Sequence, residues 1–376
     1  MTTTTTQATA SDHLQQIAAE LSVAIGGVRA VIDLLAEGAT IPFIARYRKE
    51  ATGSLDEVVI ARIRDRLQQM QELDKRRKAI LDSLTERSLL TDELKKRIES
   101  AAALAELEDI YLPYRVKRKT RATAAKEKGL EPLAQAIFSG KANDPKAAAA
   151  KFINEGKGVA NADDALAGAR DIIAEWINED EAARKEMRTF WSRKCILSST
   201  VQKGKDVEGA KFRDYFDWSE PVTSIPSHRI LAMLRGETED VLKLKLAPPD
   251  VEAQQILERR FIRGRGPAWD QGKLAAEDAY KRLLAPSMET ELRSSLKERA
   301  DDEAIQVFVR NVRELLMSPP LGQKNVLGVD PGFRTGCKLV CLDRQGKLLH
   351  NDVIYPHTEG SAAAQSQKSA AKVIDL

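Results

Sequence analysis

The chain is poor in the residues that staple or mark specialised folds. Its 3 cysteines in 376 residues, Cys195, Cys337 and Cys341, cannot all pair and form no Cys-x-x-Cys. A disulfide scaffold and a zinc ribbon are therefore excluded. The 4 histidines (His13, His228, His350, His357) are scattered, leaving no His cluster and no Ser/His/Asp set. Neither a G-x-G-x-x-G nor a Walker-type loop occurs, so no cofactor or metal is expected. No apolar run reaches the ~18 residues of a membrane span, and Met1–Ala10 lacks the basic and apolar regions of a signal peptide. The expectation is a soluble protein in a reducing, cytoplasmic setting, away from membranes. Aromatics are scarce at 5%, and 59 Lys+Arg against 56 Asp+Glu leave only +3. So small a balance places any nucleic-acid surface in local clusters.

What the chain does have is helical periodicity. Hydrophobic residues at 43% suffice for a core, and the length predicts two to three domains. The Thr-rich residues 1–11 read as a disordered tail. Leu14, Ile17, Ala18, Leu21, Ile25, Val28, Val31, Ile32 and Leu35 keep helical spacing, with a break expected at Gly26-Gly27. Thr40 starts a short helix with Pro42 in its first turn. Ser54-Leu-Asp-Glu57 has the capping-box pattern and opens a helix to about residue 86. Thr91 starts its antiparallel partner.

The texture changes near Lys194. Cys195–Val201 reads as a strand and Lys211–Phe216 as a strand or short helix. Helical spacing returns from Ile230 to about Met317, with Ser227 as a cap. Ser318-Pro-Pro-Leu-Gly322 is a breaker cluster and the expected domain boundary. Beyond it lie three strands, 325–332, 338–342 and 348–354, and a helix from about Ser361. The fold class expected is mainly α: a helical domain over 12–194, a small β element and helical connecting region over 195–318, and an α/β segment over 323–376.

The sharpest chemical feature is the segment 114–128. Arg115, Lys117, Arg118, Lys119, Arg121, Lys126 and Lys128 face only one acid, Glu127. Guanidinium forks and a helix start capped by Thr120 or Thr123 suit phosphate oxygens, and Tyr111 and Tyr114 are candidates for stacking on bases. The competing account is a basic face bound to acids on neighbouring helices. Arg46-Tyr47-Arg48-Lys49 and the set Arg259, Arg260, Arg263 and Arg265 are smaller clusters, for which intramolecular pairing is the better account. Gly328-Val-Asp-Pro-Gly332 places Asp330 at a strand end, as RNase H-like nucleases place one metal-binding carboxylate. Two-metal chemistry needs several carboxylates around its ions, and Asp343 and Asp352 fall in a turn and on another strand. Cys337 and Cys341 lie ~13 Å apart along a strand, too far for one metal, and read as core.

Four segments together resemble one family, the bacterial transcription accessory protein Tex. They are Ile41–Glu57, Leu107–Leu133, Pro226–Glu237 and Leu327–Lys338, in the family's order, and the resemblance runs from about residue 12 to the end. It implies a nucleic-acid-binding, RNA-directed protein of transcription. It also implies a helical N-terminal region with a helix-turn-helix-like element, followed by a YqgF domain of RNase H-like fold. Partners would be RNA or DNA, with the transcription or translation machinery. The YqgF domain in that family is regarded as inactive, so Asp330 is expected not to be catalytic and the chain not to be an enzyme. The chain stops at Leu376 after about three strands and one helix of that domain, and helix-hairpin-helix and S1 modules fall outside it. Two other readings stand beside this one: a metal-dependent nuclease or resolvase using Asp330, and a scaffold that contacts only proteins.

Overall fold

The computed structural model describes residues 3–116, 119–332 and 336–355, with 3–11 as backbone only. Contacts divide the chain into two units, Met1–Ala300 and Asp301–Leu376.

In the first unit, α1 (Thr3–Leu21), α2 (Ile25–Ala36), α3 (Ile41–Tyr47), α4 (Lys49–Thr52) and the first half of α5 (Glu57–Glu86) enclose Ile17, Val28, Val31, Ile44 and Ile60. The second half of α5 packs with α6 (Asp92–Ser100) and α7 (Leu104–Tyr111) around Ile80, Leu84, Ile98 and Leu107. α5 and α6 form the expected hairpin, with Thr91 Oγ1 capping α6 by accepting from Leu94 N at 3.2 Å. The largest core follows. α8 (Arg121–Glu127), α9 (Glu131–Phe138), α10 (Pro145–Ala150), α11 (Ala162–Glu179) and α12 (Glu181–Lys194) lead into β1 (Ile196–Val201) and β2 (Asp217–Pro221). Then come α13 (Ser227–Thr238), β3 (Leu242–Ala247), α14 (Asp250–Phe261) and α15 (Pro267–Asp278), a π-helical turn over Ala279–Leu284, and α16 (Ala285–Leu316). α11 is the hub: its Ile172, Ile173 and Ile177 are fully buried, and α8, α9, α10 and α15 all pack on it.

The second unit holds an antiparallel sheet of β4 (Val326–Asp330), β5 (Cys337–Leu342) and β6 (Leu348–Ile354) in the order β4-β5-β6. These are the three strands expected from the sequence. Cys341 is buried and Cys337 half-buried, both as free thiols. The helix expected from Ser361 lies outside the described residues.

Several expectations need correction. The backbone is already helical from Thr3, where a tail was expected; the helix that buries Ile17 and Ala18 extends outward through the threonines. The break falls at Ser22–Ala24 rather than at the glycines, with Ser22 in the left-handed region at φ 54°. Asp56, not Ser54, caps α5, its Oδ1 accepting from Val59 N at 2.8 Å, while Ser54 turns the chain at φ 62°. Pro226, not Ser227, stands in the cap position of α13, and Ser227 is the helix's first residue. A third strand, β3, was read as helix. Leu242, Leu244 and Leu246 point inward while Lys243 and Lys245 are exposed, a period of two that fits β1 in antiparallel register, Ser198 opposite Lys245. Apart from these corrections, the division by contacts falls within α16, after Ala300, the last buried side chain of that helix.

Cys195 closes α12 just before β1 and is fully buried. Burial, reinforced by the charge of Glu289, pushes its thiol up to about 12. The thiolate is the reactive form, so Cys195 is expected to resist a thiol reagent at pH 8 in the native protein and to react on unfolding. Rapid native labelling, mapped by peptide mass spectrometry, would contradict this packing.

Candidate nucleic-acid interface

The basic segment begins where α7 ends. Pro113 turns the helix into a short 3-10 piece over Leu112–Tyr114, and Arg115 leaves it in extended conformation. α8 then starts with a reciprocal cap: Thr120 Oγ1 accepts from Thr123 N at 3.0 Å, and Thr120 N donates to Thr123 Oγ1 at 2.7 Å. The Thr120 hydroxyl also donates to Glu175 Oε1 of α11 at 3.2 Å. Ala122 and Ala125 are buried and α8 packs along α11. Small side chains on that face bring the backbone of a charged helix close to its neighbour.

That closeness gives several of the cations internal partners. Lys126 Nζ lies 3.6 Å from Glu175, and Lys119 Nζ lies 3.2 Å from Glu127. Lys128 Nζ donates to the Gly158 carbonyl at 2.9 Å. Arg115 and Arg121 are exposed and make no ion pair among the described residues. Lys117 and Arg118 lie outside the described residues. Tyr111 is buried and lies under the Arg76 guanidinium, 5.6 Å from the ring centroid, so it offers no face to a base. Tyr114 is half-buried.

Arg115 and Arg121 flank a cleft of about 590 Å³ that also reaches Arg282 of the π-helical turn and the acids Asp171, Glu175 and Glu179. Burial raises the Asp171 carboxyl above its ordinary range, against the pull of Arg282 at 3.3 Å. A second cleft of about 820 Å³ shares Arg115 and Arg282 with the first. Its wall is a closed ring of two arginines and two carboxylates. Asp109 accepts from Arg184 Nε at 2.6 Å and from Arg188 at 2.9 Å, while Glu291 accepts from Arg184 at 3.0 Å and from Arg188 Nε at 2.7 Å. No motif in the sequence marks this ring. The one available signal is the i, i+4 spacing of Arg184 and Arg188 on α12.

The smaller clusters divide. Arg46 reaches Glu57 at 3.6 Å and Arg260 reaches Asp180 at 3.0 Å, whereas Arg263 and Arg265 are exposed. Asp330 ends β4 with its side chain 76% exposed and Lys338 3.9 Å away. Among the described residues, no three His, Cys, Asp or Glu side chains are placed to hold a metal together. Nor, among them, is any helix long and apolar enough to cross a membrane.

The architecture defines a mainly α, multi-helical protein that runs into the opening strands of a YqgF-like, RNase H-like α/β domain. The chain belongs to the Tex family. Residues 11–85 match the Tex-like protein N-terminal domain, 140–308 the Tex central region, and 324–376 the Tex protein YqgF-like domain. It is 43% identical to protein YdcI of Bacillus subtilis over 364 residues, 96% of this chain and 51% of that protein. It is 42% identical to the transcriptional accessory protein Tex of Neisseria gonorrhoeae over 353 residues, 92% of this chain and 46% of that one. The S1 RNA-binding domain-containing protein 1 of Homo sapiens is 29% identical over 348 residues, 87% of this chain and 34% of that protein. The chain spans about half the length of the bacterial relatives it matches.

Proposed function

We propose that this chain is a non-enzymatic, nucleic-acid-binding scaffold of a cytoplasmic transcription accessory protein, and that the 115–128 segment contacts phosphates of RNA. The observation that carries the reading is the pair Arg115 and Arg121, exposed at one cleft with no ion-pair partner among the described residues. A guanidinium with no direct hydrogen bond or ion pair offers its planar fork of donors to a phosphate without first breaking one, and Asp171 acts on Arg121 through its field alone. Lys119, Lys126 and Lys128, already engaged, add field rather than direct grip. Relatives named for transcription and for RNA binding agree with this reading.

The test is a fluorescence-anisotropy titration of a labelled 15-nucleotide RNA at several salt concentrations, with Mg²⁺ present. Arg115→Glu/Arg121→Glu is expected to weaken binding about tenfold and to flatten the slope of log K against log salt by about 1–2. The RNA is expected to be recovered uncut. Unchanged affinity and slope would remove the segment from the interface. Cleavage that disappears in Asp330→Asn would replace the scaffold reading with a nuclease.

A further inference from the structure

The cations of α12 and α14 are arranged differently from those of 115–128. Lys185 and Arg193 stand eight residues apart on the exposed side of α12, ~12 Å along the axis, with Thr189 midway between them. Together with Lys194 and with Arg259 of α14 they line a groove of about 480 Å³ between the two helices, where Phe190 is half-buried. Glu186 is the one acid among the lining residues. Lys185 and Arg193 make no ion pair among the described residues. Arg259 donates only Nε, to the Gln255 carbonyl at 3.2 Å, so its terminal nitrogens remain. Lys194 has a loose, exposed contact with Glu252 at 3.8 Å, of a kind worth little. Beyond α14, exposed Arg263 and Arg265 extend the same sign of charge through the following turn.

Four cations against one acid select an anionic occupant. An acidic helical peptide would need a row of apolar anchors at helical spacing. Here Ile256 is 7% exposed and Phe190 is the one large apolar side chain left half-open. Spaced cations and one accessible aromatic ring match the backbone-tracking, base-stacking mode of single-strand binding. We propose that the α12–α14 groove is a second binding site, for the sugar-phosphate backbone of a single-stranded nucleic acid, with Phe190 taking a base. The proposal rests on the nucleic-acid reading above and places a main contact outside the segment that looks most basic in sequence.

The experiment compares the whole chain with Lys185→Glu/Arg193→Glu/Arg259→Glu, using labelled 15-nucleotide single-stranded RNA and DNA and a labelled 15-residue poly-glutamate peptide. The circular dichroism of each variant is checked, and Lys185→Gln/Arg193→Gln/Arg259→Gln serves as the milder second variant. The expected result is a loss of about tenfold or more in single-strand affinity. The salt slope should flatten by about 2, since three phosphate contacts at ~0.7 each are removed. Phe190→Leu should weaken binding severalfold without changing the slope. If the wild-type chain binds single strands and both triple variants bind equally well, the groove is overturned while the nucleic-acid reading stands. A wild-type chain that binds neither RNA nor DNA overturns both. Peptide binding that the triple variants abolish, with single-strand binding untouched, overturns the proposal in favour of a protein-docking groove.

Discussion

Replacing Asp109 with Ala is expected to cost about 3–5 kcal/mol of unfolding free energy, the range for breaking a buried ion pair from one side. Asp109 and Arg184 are 4% and 6% exposed, and each carboxylate of the ring bridges both arginines. The remaining N–H groups of Arg184 are also placed: Nη2 donates to Ser287 Oγ at 2.9 Å and Nη1 to Asn178 Oδ1 at 3.3 Å. Removing Asp109 leaves two guanidinium groups sharing Glu291, one of them almost wholly out of water. The penalty is thus mainly an uncompensated charge, not a lost contact. Asp109→Leu/Arg184→Met should accordingly recover much of the loss, because it removes the stranded charge with its partner. Urea denaturation of the single and double variants measures both. A loss below about 1 kcal/mol for Asp109→Ala would mean that water reaches the ring and screens it. The ring also matters for position. Asp109 lies on α7, the element that delivers Arg115 to its cleft, and the ring ties α7 to α12 and α16.

What could be read from the sequence was whatever is settled within a few residues. The caps at Thr40, Thr91 and Thr120 are of that kind, because a side-chain oxygen accepts from the amide three residues on whatever the rest of the chain does. The strands β4, β5 and β6 show for the same reason, each a short apolar run set off by turn residues. β3 did not show: its alternation spans six residues between two helical stretches, and β1, which it pairs with, lies more than forty residues upstream. The charge balance of the candidate site was hidden in a stronger sense. Seven cations against one acid is a true count along the chain, yet Lys126 meets Glu175 because α8 lies on α11, and Lys128 meets the Gly158 carbonyl of the turn that precedes α11. The converse holds at α12 and α14, where Lys185, Arg193 and Arg259 form no run in sequence and come together at one groove. Local density of like charge therefore overstated one surface and concealed another.

The two neighbouring glycines of α2 are expected to respond to the same substitution with opposite signs. Gly26 is exposed, and a Cβ there would meet nothing within 4 Å. Gly26→Ala should therefore stabilise by about 0.5–1 kcal/mol through lower backbone entropy in the unfolded chain. Gly27 is buried, and its Cβ would stand 2.6 Å from the carbonyl oxygen of Thr52, with Leu55 Cδ1 at 3.5 Å. The obstacle is backbone, so no rotamer change relieves it. Thr52 is itself 1% exposed and its hydroxyl is turned back onto the Arg48 carbonyl at 3.1 Å, which holds α4 in place. To admit the methyl group, α4 must back away from α2 and draw Leu55 off the cluster around Val28, Val31 and Ile60. Overpacking of that kind costs about 1–3 kcal/mol, more than the ~1 kcal/mol that Ala gains over Gly in a helix. Paired urea melts of Gly26→Ala and Gly27→Ala measure the difference directly. Stabilisation by both would show that the Thr52 carbonyl yields and that α2 and α4 do not need the glycine; destabilisation by Gly27→Ala alone would make it the residue that sets how closely the N-terminal helices pack.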